Sequence, residues 1–117
     1  MYEYVPMNYN EIINFIRCNN ICTIAMAEND CPYAVPMCYE SHFSCNDLYL
    51  TMRSKDCGKK MKYMYNNENV WIVIYNPRSC KSVIINGTVN IENDCDCNGI
   101  LTIKVDIKEA TGRKFCC

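Results

Sequence analysis

The 117-residue sequence has few glycines, one histidine and no long apolar run, and these shortages exclude several classes of protein. Its four glycines are isolated, so it has no glycine-rich loop for nucleotide phosphates. Its longest apolar runs, such as Val70–Tyr75, are too short to span a bilayer. The net charge is −1 and no basic stripe is present, which argues against nucleic acid as a partner. The N-terminus lacks the features of a signal peptide, so we expect a cytoplasmic protein without a membrane partner.

Cysteine, by contrast, is abundant, with eleven residues that could indicate a small disulfide-bonded scaffold. The odd number, the absence of a signal peptide and the 50% hydrophobic content favour reduced thiols instead. Cys22 and Cys38 lie within apolar segments, where a free thiol packs as a small hydrophobic group. We therefore expect one globular domain, residues 1–117, with reduced cysteines.

Two helices are predicted. Asn8 followed by Glu11 forms a capping-box start for the first helix. The apolar side of this helix consists of Ile12, Ile13, Phe15 and Ile16. The second helix is predicted from about Asp56 to Asn66. Its apolar face is predicted to contain Met61, Met64 and Tyr65.

Six strands are predicted from apolar or alternating runs, namely Ile21–Ala27, Tyr33–Tyr39, Leu48–Met52, Asn69–Tyr75, Ser82–Ile91 and Leu101–Ile107. Turn residues between the first two predict a hairpin, and the polar segments Glu40–Asn46 and Glu92–Gly99 are interpreted as loops. Asn86-Gly87 leaves two alternatives, a hairpin turn or one long strand with a bulge at Gly87. Short connections favour a mainly antiparallel β-barrel flanked by helices.

A pair of lysines, Lys59 and Lys60, opens the second predicted helix directly after a strand. Free N–H groups and the helix dipole favour an anion at such a position, so a phosphorylated cofactor is the first ligand to test. The alternative is a solvated helix face, which is the usual role of a charge run. Asp56 would also compete with a phosphate for the same lysines.

Other chemically active residues form no recognisable constellation. A nucleophilic triad around His42 would need an acid that the sequence does not reveal, so a loop histidine is the simpler interpretation. The close cysteine pairs lack the Cys-x-x-Cys spacing of zinc knuckles. We therefore assign no catalytic residue and no metal site, although a cysteine-rich metal-binding or interaction protein stays an alternative.

Taken in order from about Asn10 to Phe115, these elements resemble the flavin-binding split-barrel family, which includes pyridoxamine 5′-phosphate oxidases and nitroimidazole-resistance proteins. The segments that carry the resemblance are Ile21–Met26, Pro32–Met37, Leu48–Met52, Gly58–Lys60, Asn69–Val70, Lys81–Val83 with Gly87, and Ile107–Arg113. The resemblance implies an antiparallel split β-barrel that forms a homodimer, with FMN in the cleft between the subunits. It also favours a single strand over Ser82–Ile91.

The resemblance further implies a set of cofactor-binding residues. Those expected along the isoalloxazine edge are Val35, Pro36, Met37 and Cys38. Thr51 and Met52 would lie near the ring and ribityl chain, and Ser54 belongs to the same set. Lys59 and Lys60 would bind the phosphate, while Ser82 would reach the flavin from the partner subunit.

The activity implied is that of an FMN-dependent oxidoreductase acting on a small electron-poor substrate such as a nitro compound. Two departures separate the chain from the named reactions. Thr51 occupies the position where some nitroimidazole-resistance proteins carry a histidine. Val35 and Glu40 occupy positions where pyridoxamine phosphate oxidases carry basic residues. A flavin-binding module without turnover is therefore the alternative function.

Overall fold

The computed structural model describes residues 3–92 and 98–116, which contain eight strands and two helices. The strands are β1 (Tyr4–Pro6), β2 (Ile21–Glu28), β3 (Cys31–Cys38), β4 (Glu40–Ser44), β5 (Asp47–Lys55), β6 (Asn69–Asn76), β7 (Lys81–Glu92) and β8 (Ile100–Phe115). The helices are α1 (Tyr9–Cys18) and α2 (Lys59–Asn66), and neither has the length and apolar content needed to cross a membrane. Much of the predicted loop Glu92–Gly99 lies outside the described residues.

All eight strands belong to one antiparallel sheet. Its order is β3-β2-β6-β7-β8-β5-β4, and β1 pairs with the end of β8. The sheet curves until β3 approaches β5, but within the described residues it does not close, so β3 and β4 are its edges. This open split barrel confirms the predicted fold class. Pro32 and Pro36 protect the β3 edge, since proline offers no N–H to an added strand.

The interior is built from alternate residues of the strands and one face of each helix. In β8 the inward residues Leu101, Ile103 and Val105 are fully buried, as the alternation predicts. The capping box of α1 is confirmed, because Asn8 and Glu11 exchange hydrogen bonds of 3.1 and 2.9 Å between side chain and backbone. The predicted apolar residues of α1, Ile12, Ile13, Phe15 and Ile16, are all buried.

The buried face of α2 differs from the prediction in one aromatic residue. Tyr63 is buried with Met61 and Met64, whereas Tyr65 is 53% exposed. The Tyr63 ring packs against Tyr33 of β3 with 5.3 Å between centroids. Tyr65 instead donates a 2.8 Å hydrogen bond from its hydroxyl to Asp56 at the surface. The helix also begins three residues later than predicted, at Lys59.

The prediction of a loop over Glu40–Asn46 is wrong. Glu40 to Ser44 forms β4, which pairs with β5 so that Glu40 faces Thr51 and His42 faces Tyr49. The connecting turn has positive φ at both Cys45 (48°) and Asn46 (69°), as a two-residue type I′ turn requires. Ser41, which shares a face with Phe43, is also polar, so β4 lacks the apolar alternation on which a strand prediction depends. Neither β1 nor the last eight residues of β8 are among the predicted strands.

The single-strand interpretation of Ser82–Ile91 is confirmed. β7 pairs with β8 along its whole length, with a register shift at Asn86-Gly87. A Cβ atom at Gly87 would lie only 2.6 Å from the carbonyl oxygen of Asp106 on β8. The Asn-Gly pair therefore permits a bulge and a close backbone approach, not a hairpin turn.

The cysteines only partly match the expectation of reduced thiols. Among the described residues the free thiols are Cys18, Cys22, Cys31, Cys38, Cys45, Cys57 and Cys116. Burial raises the pKa of the Cys22 thiol to about 12, so it packs as an inert hydrophobic group. Cys80, however, is disulfide-bonded. The turn after β6 brings Cys80 beside the end of β8, where its carbonyl oxygen accepts a 2.8 Å hydrogen bond from Phe115 N–H.

Candidate functional site

A cleft of about 590 Å³ lies between the β3–β4 junction and β5, a volume typical of cofactor pockets. It is lined by Asn20, Cys38, Tyr39, Glu40, Thr51, Met52, Arg53 and Thr102. The cleft therefore contains three residues predicted to bind the cofactor, Cys38, Thr51 and Met52. Tyr39 fixes its floor by donating a 2.8 Å hydrogen bond to the Ile16 carbonyl oxygen of α1. Burial raises the Tyr39 pKa, which keeps this donor protonated.

Strand alternation separates the predicted residues of β5 into two groups. Thr51 lies on the outer face of the sheet, where its hydroxyl is hydrogen-bonded. Met52 is 1% exposed and its side chain belongs to the core. Ser54 is also buried, and its hydroxyl donates a 2.9 Å hydrogen bond to the Lys55 carbonyl oxygen. Thr51 is thus the β5 residue in this set whose side chain is directed away from the core.

The predicted residues of β3 alternate in the same way. Val35 and Met37 pack against the core, while Pro36 and Cys38 are exposed on the other face. Because β3 is an edge strand, one side of its backbone has no strand partner among the described residues. A planar ligand beside β3 would therefore meet backbone groups together with Pro36 and Cys38.

The N-terminus of α2 has the features of an anion site. Gly58 precedes it with φ of 94° and gives no side-chain cap, and the first turn contains no acidic residue. Lys59 and Lys60 nevertheless occupy its first two positions, where the helix dipole disfavours positive charge. An anion bound here would satisfy the free N–H groups and neutralise both lysines. Asp56, the predicted competitor, already accepts the hydrogen bond from Tyr65.

Lys59 is held at this position by an aromatic ring of β3. Its Nζ atom lies 5.1 Å from the Tyr33 ring centroid, within the range of a cation–π interaction. Tyr33 in turn contacts the buried Tyr63 of α2. The lysine therefore has a defined position even though it is exposed. No local sequence pattern predicts this contact, because it joins two separate elements.

Ser82 does not line the cleft. It lies on β7, is 9% exposed, and pairs with Tyr75 of β6 and Arg113 of β8. Nearby, β2 and β6 present a surface that we call the outer apolar face, formed by Ile21, Trp71, Val73 and Tyr75. These four side chains are 60%, 48%, 38% and 58% exposed. Ser82 thus lies beside this face and away from the cleft.

One group on the cleft side was missed by the sequence analysis. His42 of β4 has its Nε2 atom 2.8 Å from the Thr51 hydroxyl oxygen. Its ring stacks on Tyr49 with 4.8 Å between centroids. Once β4 is placed beside β5, the strand register predicts that His42 faces Tyr49. The assignment of His42 to a loop concealed this arrangement.

No protein-family model and no curated protein matches the sequence. Solved structures do resemble it. An FAD-binding protein from Mesorhizobium loti superposes with a TM-score of 0.83 at 19% identity, covering 99% of both chains. A candidate 5-nitroimidazole antibiotic resistance protein from Bacteroides thetaiotaomicron gives 0.77 at 18% identity, covering 98% of this chain and 89% of the other. A candidate pyridoxamine 5′-phosphate oxidase from Listeria innocua superposes with a TM-score of 0.74 at 18% identity, covering 86% of this chain and 94% of the other.

These similarities identify the architecture as that of the flavin-binding split barrels, and so confirm the predicted resemblance at the level of the fold. At such low identity they show the fold alone. A function must therefore be argued from the side chains at the cleft and at the start of α2.

Proposed function

We propose that this protein is an FMN-dependent oxidoreductase that acts as a homodimer on a small electron-poor substrate such as a nitro compound. The observation that carries the proposal is the start of α2, where two lysines occupy a first turn without acidic residues and no side chain caps the helix. This donor set fits a phosphate group. β5 leads from the cleft directly to this helix, so one strand connects the site proposed for the ring with the site proposed for the phosphate.

The homodimer is supported by the outer apolar face. Trp71 and Tyr75 are about half exposed on a regular strand, with Val73 between them and Ile21 on the adjacent strand. A contiguous patch of this kind, rich in aromatic side chains, is typical of a surface that a partner covers. A second copy seated on this face would also place its own surface next to Ser82. Such a dimer is the arrangement that the predicted contact between Ser82 and a flavin bound mainly by the other subunit requires.

When bound, FMN supplies the redox chemistry. The protein's own contribution is positioning and charge neutralisation. Lys59, Lys60 and the N–H groups of α2 hold the phosphate, the exposed side of β3 supports the ring edge, and Thr51 offers a hydroxyl toward the ring. We name no catalytic residue. A module that binds flavin without turnover is the competing function.

Titration of the purified protein with FMN, followed by the visible spectrum of the flavin, tests the cofactor. Lys60→Ala should weaken FMN about tenfold, because it removes a charge-assisted contact of about 1–3 kcal/mol. Lys62→Ala removes the same charge from the same helix, but outside its first three positions, and should change the affinity little. Riboflavin, which has no phosphate, should bind weakly and should not distinguish the two variants.

A flavin spectrum that does not change at any FMN concentration would refute the cofactor assignment. Equal losses of FMN affinity in Lys60→Ala and Lys62→Ala would refute the phosphate site but not the assignment of a flavin cofactor. To separate enzyme from binding module, the reduced protein is mixed anaerobically with nitro compounds. Reoxidation faster than that of free reduced FMN supports the oxidoreductase, and equal rates across the panel support the module.

A further inference from the structure

His42 is the one histidine of the chain, and its position is defined by two contacts. Its Nε2 atom lies 2.8 Å from Oγ1 of Thr51, a residue that lines the cleft. Its ring is nearly parallel to that of Tyr49, with an interplanar angle of 12°. The stacking fixes the plane of the imidazole and the hydrogen bond fixes its rotation. His42 therefore contacts a side chain of the cleft without lining the cleft itself.

Several charged or titratable groups share the outer face with His42. They are Glu40 on β4, Asp47, Tyr49 and Arg53 on β5, and Lys104 and Asp106 on β8. Lys104 Nζ lies 4.6 Å from the Tyr49 centroid and 3.7 Å from Asp106 Oδ1, so this cation has its own carboxylate. α1 approaches β4 from the opposite face, where Arg17 and Phe43 line a separate cavity. Thr51 is thus the hydrogen-bonding group that links the imidazole to the cleft.

The chemistry of this pair depends on the hydrogen of the threonine hydroxyl. A hydroxyl has one hydrogen to donate and an oxygen that accepts. A protonated imidazole must donate from Nε2 to Oγ1, which leaves the hydroxyl hydrogen free for another acceptor. A neutral imidazole without a hydrogen on Nε2 accepts that hydrogen instead, and the hydroxyl can then offer the cleft only lone pairs.

We propose that His42 is a positioning residue that determines whether Thr51 donates a hydrogen bond to a flavin in the cleft. The proposal rests on the FMN binding proposed above. The flavin ring carries carbonyl oxygens and ring nitrogens that accept hydrogen bonds, so the donating state of Thr51 is the one that binds it more tightly. Histidine side chains change charge between about pH 5 and pH 8. With the hydrogen of the neutral imidazole assigned to Nδ1 as part of this proposal, the affinity for FMN should increase toward the acid end of this range.

The first test examines the pair without any flavin. Since the chain has one histidine, the imidazole signals in a nuclear magnetic resonance spectrum need no assignment. Thr51→Val preserves the shape of the side chain and removes the hydroxyl. It should shift the ring nitrogen signals of His42 and the midpoint of their titration. Identical signals in the wild-type protein and Thr51→Val would overturn the proposal, because they would mean that the hydrogen bond is absent in solution.

The second test measures the FMN dissociation constant at about pH 5.5 and about pH 8. His42→Gln keeps a hydrogen-bonding nitrogen for Thr51 but cannot change charge. Ionisation of the FMN phosphate affects both proteins and cancels when they are compared. The wild-type protein should gain about three- to tenfold more affinity on acidification than His42→Gln, the range expected for one hydrogen bond. His42→Phe keeps the stacking on Tyr49 but has neither a hydrogen-bonding nitrogen nor a charge, so it too should lack the additional gain in affinity on acidification.

The outcomes distinguish this proposal from the one on which it rests. FMN that fails to bind the wild-type protein at either pH refutes the cofactor assignment itself. FMN that binds with the same pH dependence in the wild-type protein, His42→Gln and Thr51→Val refutes only the role of His42. If His42→Phe does not fold, the other two variants still decide the question. A pH dependence lost in both of them supports the proposal, since a purely structural role would not remove it.

Discussion

The two faces of β6 are both apolar but have opposite environments. The inward side chains are at most 1% exposed, whereas the outward ones are between 38% and 58% exposed. The inward set is Val70, Ile72 and Ile74, and the outward set is Trp71, Val73 and Tyr75. A strand that is apolar on both faces is typical of a sheet covered on both sides. The core covers the inward face, and the outer face is the one that we propose a second copy covers.

The outer face of the sheet also changes character from one end to the other. Around β6 it is apolar, while around β5 and β8 it presents Tyr49, Thr51, Lys104 and Asp106. The same side of one sheet therefore contains a surface suited to a protein partner and a polar surface suited to a ligand. In the proposed dimer, a second copy would cover the apolar part around Trp71 and leave the polar part to a small molecule.

The largest expected effect comes from a substitution on the inward face of β6, compared with one on its outward face. Ile72→Ala should lower the free energy of unfolding by about 2–5 kcal/mol, because it empties part of a fully buried site. Val73→Ala, one residue away, should cost about 0.5 kcal/mol or less within the subunit. Urea unfolding followed by fluorescence of the single tryptophan measures both.

Protein concentration separates the two faces further. The free energy of unfolding lost in Ile72→Ala should be nearly independent of protein concentration. The free energy lost in Val73→Ala should increase with protein concentration if a dimer covers the outer face. Similar, concentration-independent losses in both variants would mean that the two faces are not functionally distinct.

Much of this contrast could be predicted from sequence, because it depends on local alternation. The runs Asn69–Tyr75 and Leu101–Ile107, and the capping box at Asn8, each contain their own signal, and the structure confirms them. β4 is not predicted because it becomes a strand through its pairing with β5, and its polar residues give no local strand pattern. The cleft was partly missed for the same reason. Glu40, Thr51 and Thr102 meet through strand register, which no local pattern encodes.

The second prediction breaks the proposed dimer without unfolding the subunit. Trp71→Lys places a charge in the middle of the outer apolar face, where an aromatic side chain at an interface commonly contributes about 2 kcal/mol or more. The wild-type protein should be a dimer at micromolar concentration and the variant a folded monomer, measured by light scattering and circular dichroism. Tyr9→Lys makes a comparable change on α1, where the side chain is 62% exposed, and should leave the dimer intact. A wild-type monomer, or a dimer that survives Trp71→Lys, would contradict the role of this face.

The smallest effect is expected at Tyr33, whose ring contacts a residue of the core and an exposed cation at once. It packs on the buried Tyr63 and lies beneath Lys59, so the core fixes the ring, and the ring helps to hold Lys59 at the proposed phosphate site. Tyr33→Leu removes the aromatic face and should weaken FMN about threefold, since a cation–π contact at an exposed site contributes about 0.5–1 kcal/mol. Tyr33→Phe keeps that face and should bind FMN as the wild-type protein does. Riboflavin is the control ligand, because Lys59 would contact only the phosphate. If Tyr33→Leu weakens riboflavin as much as FMN, the ring supports the cleft in general and does not position Lys59.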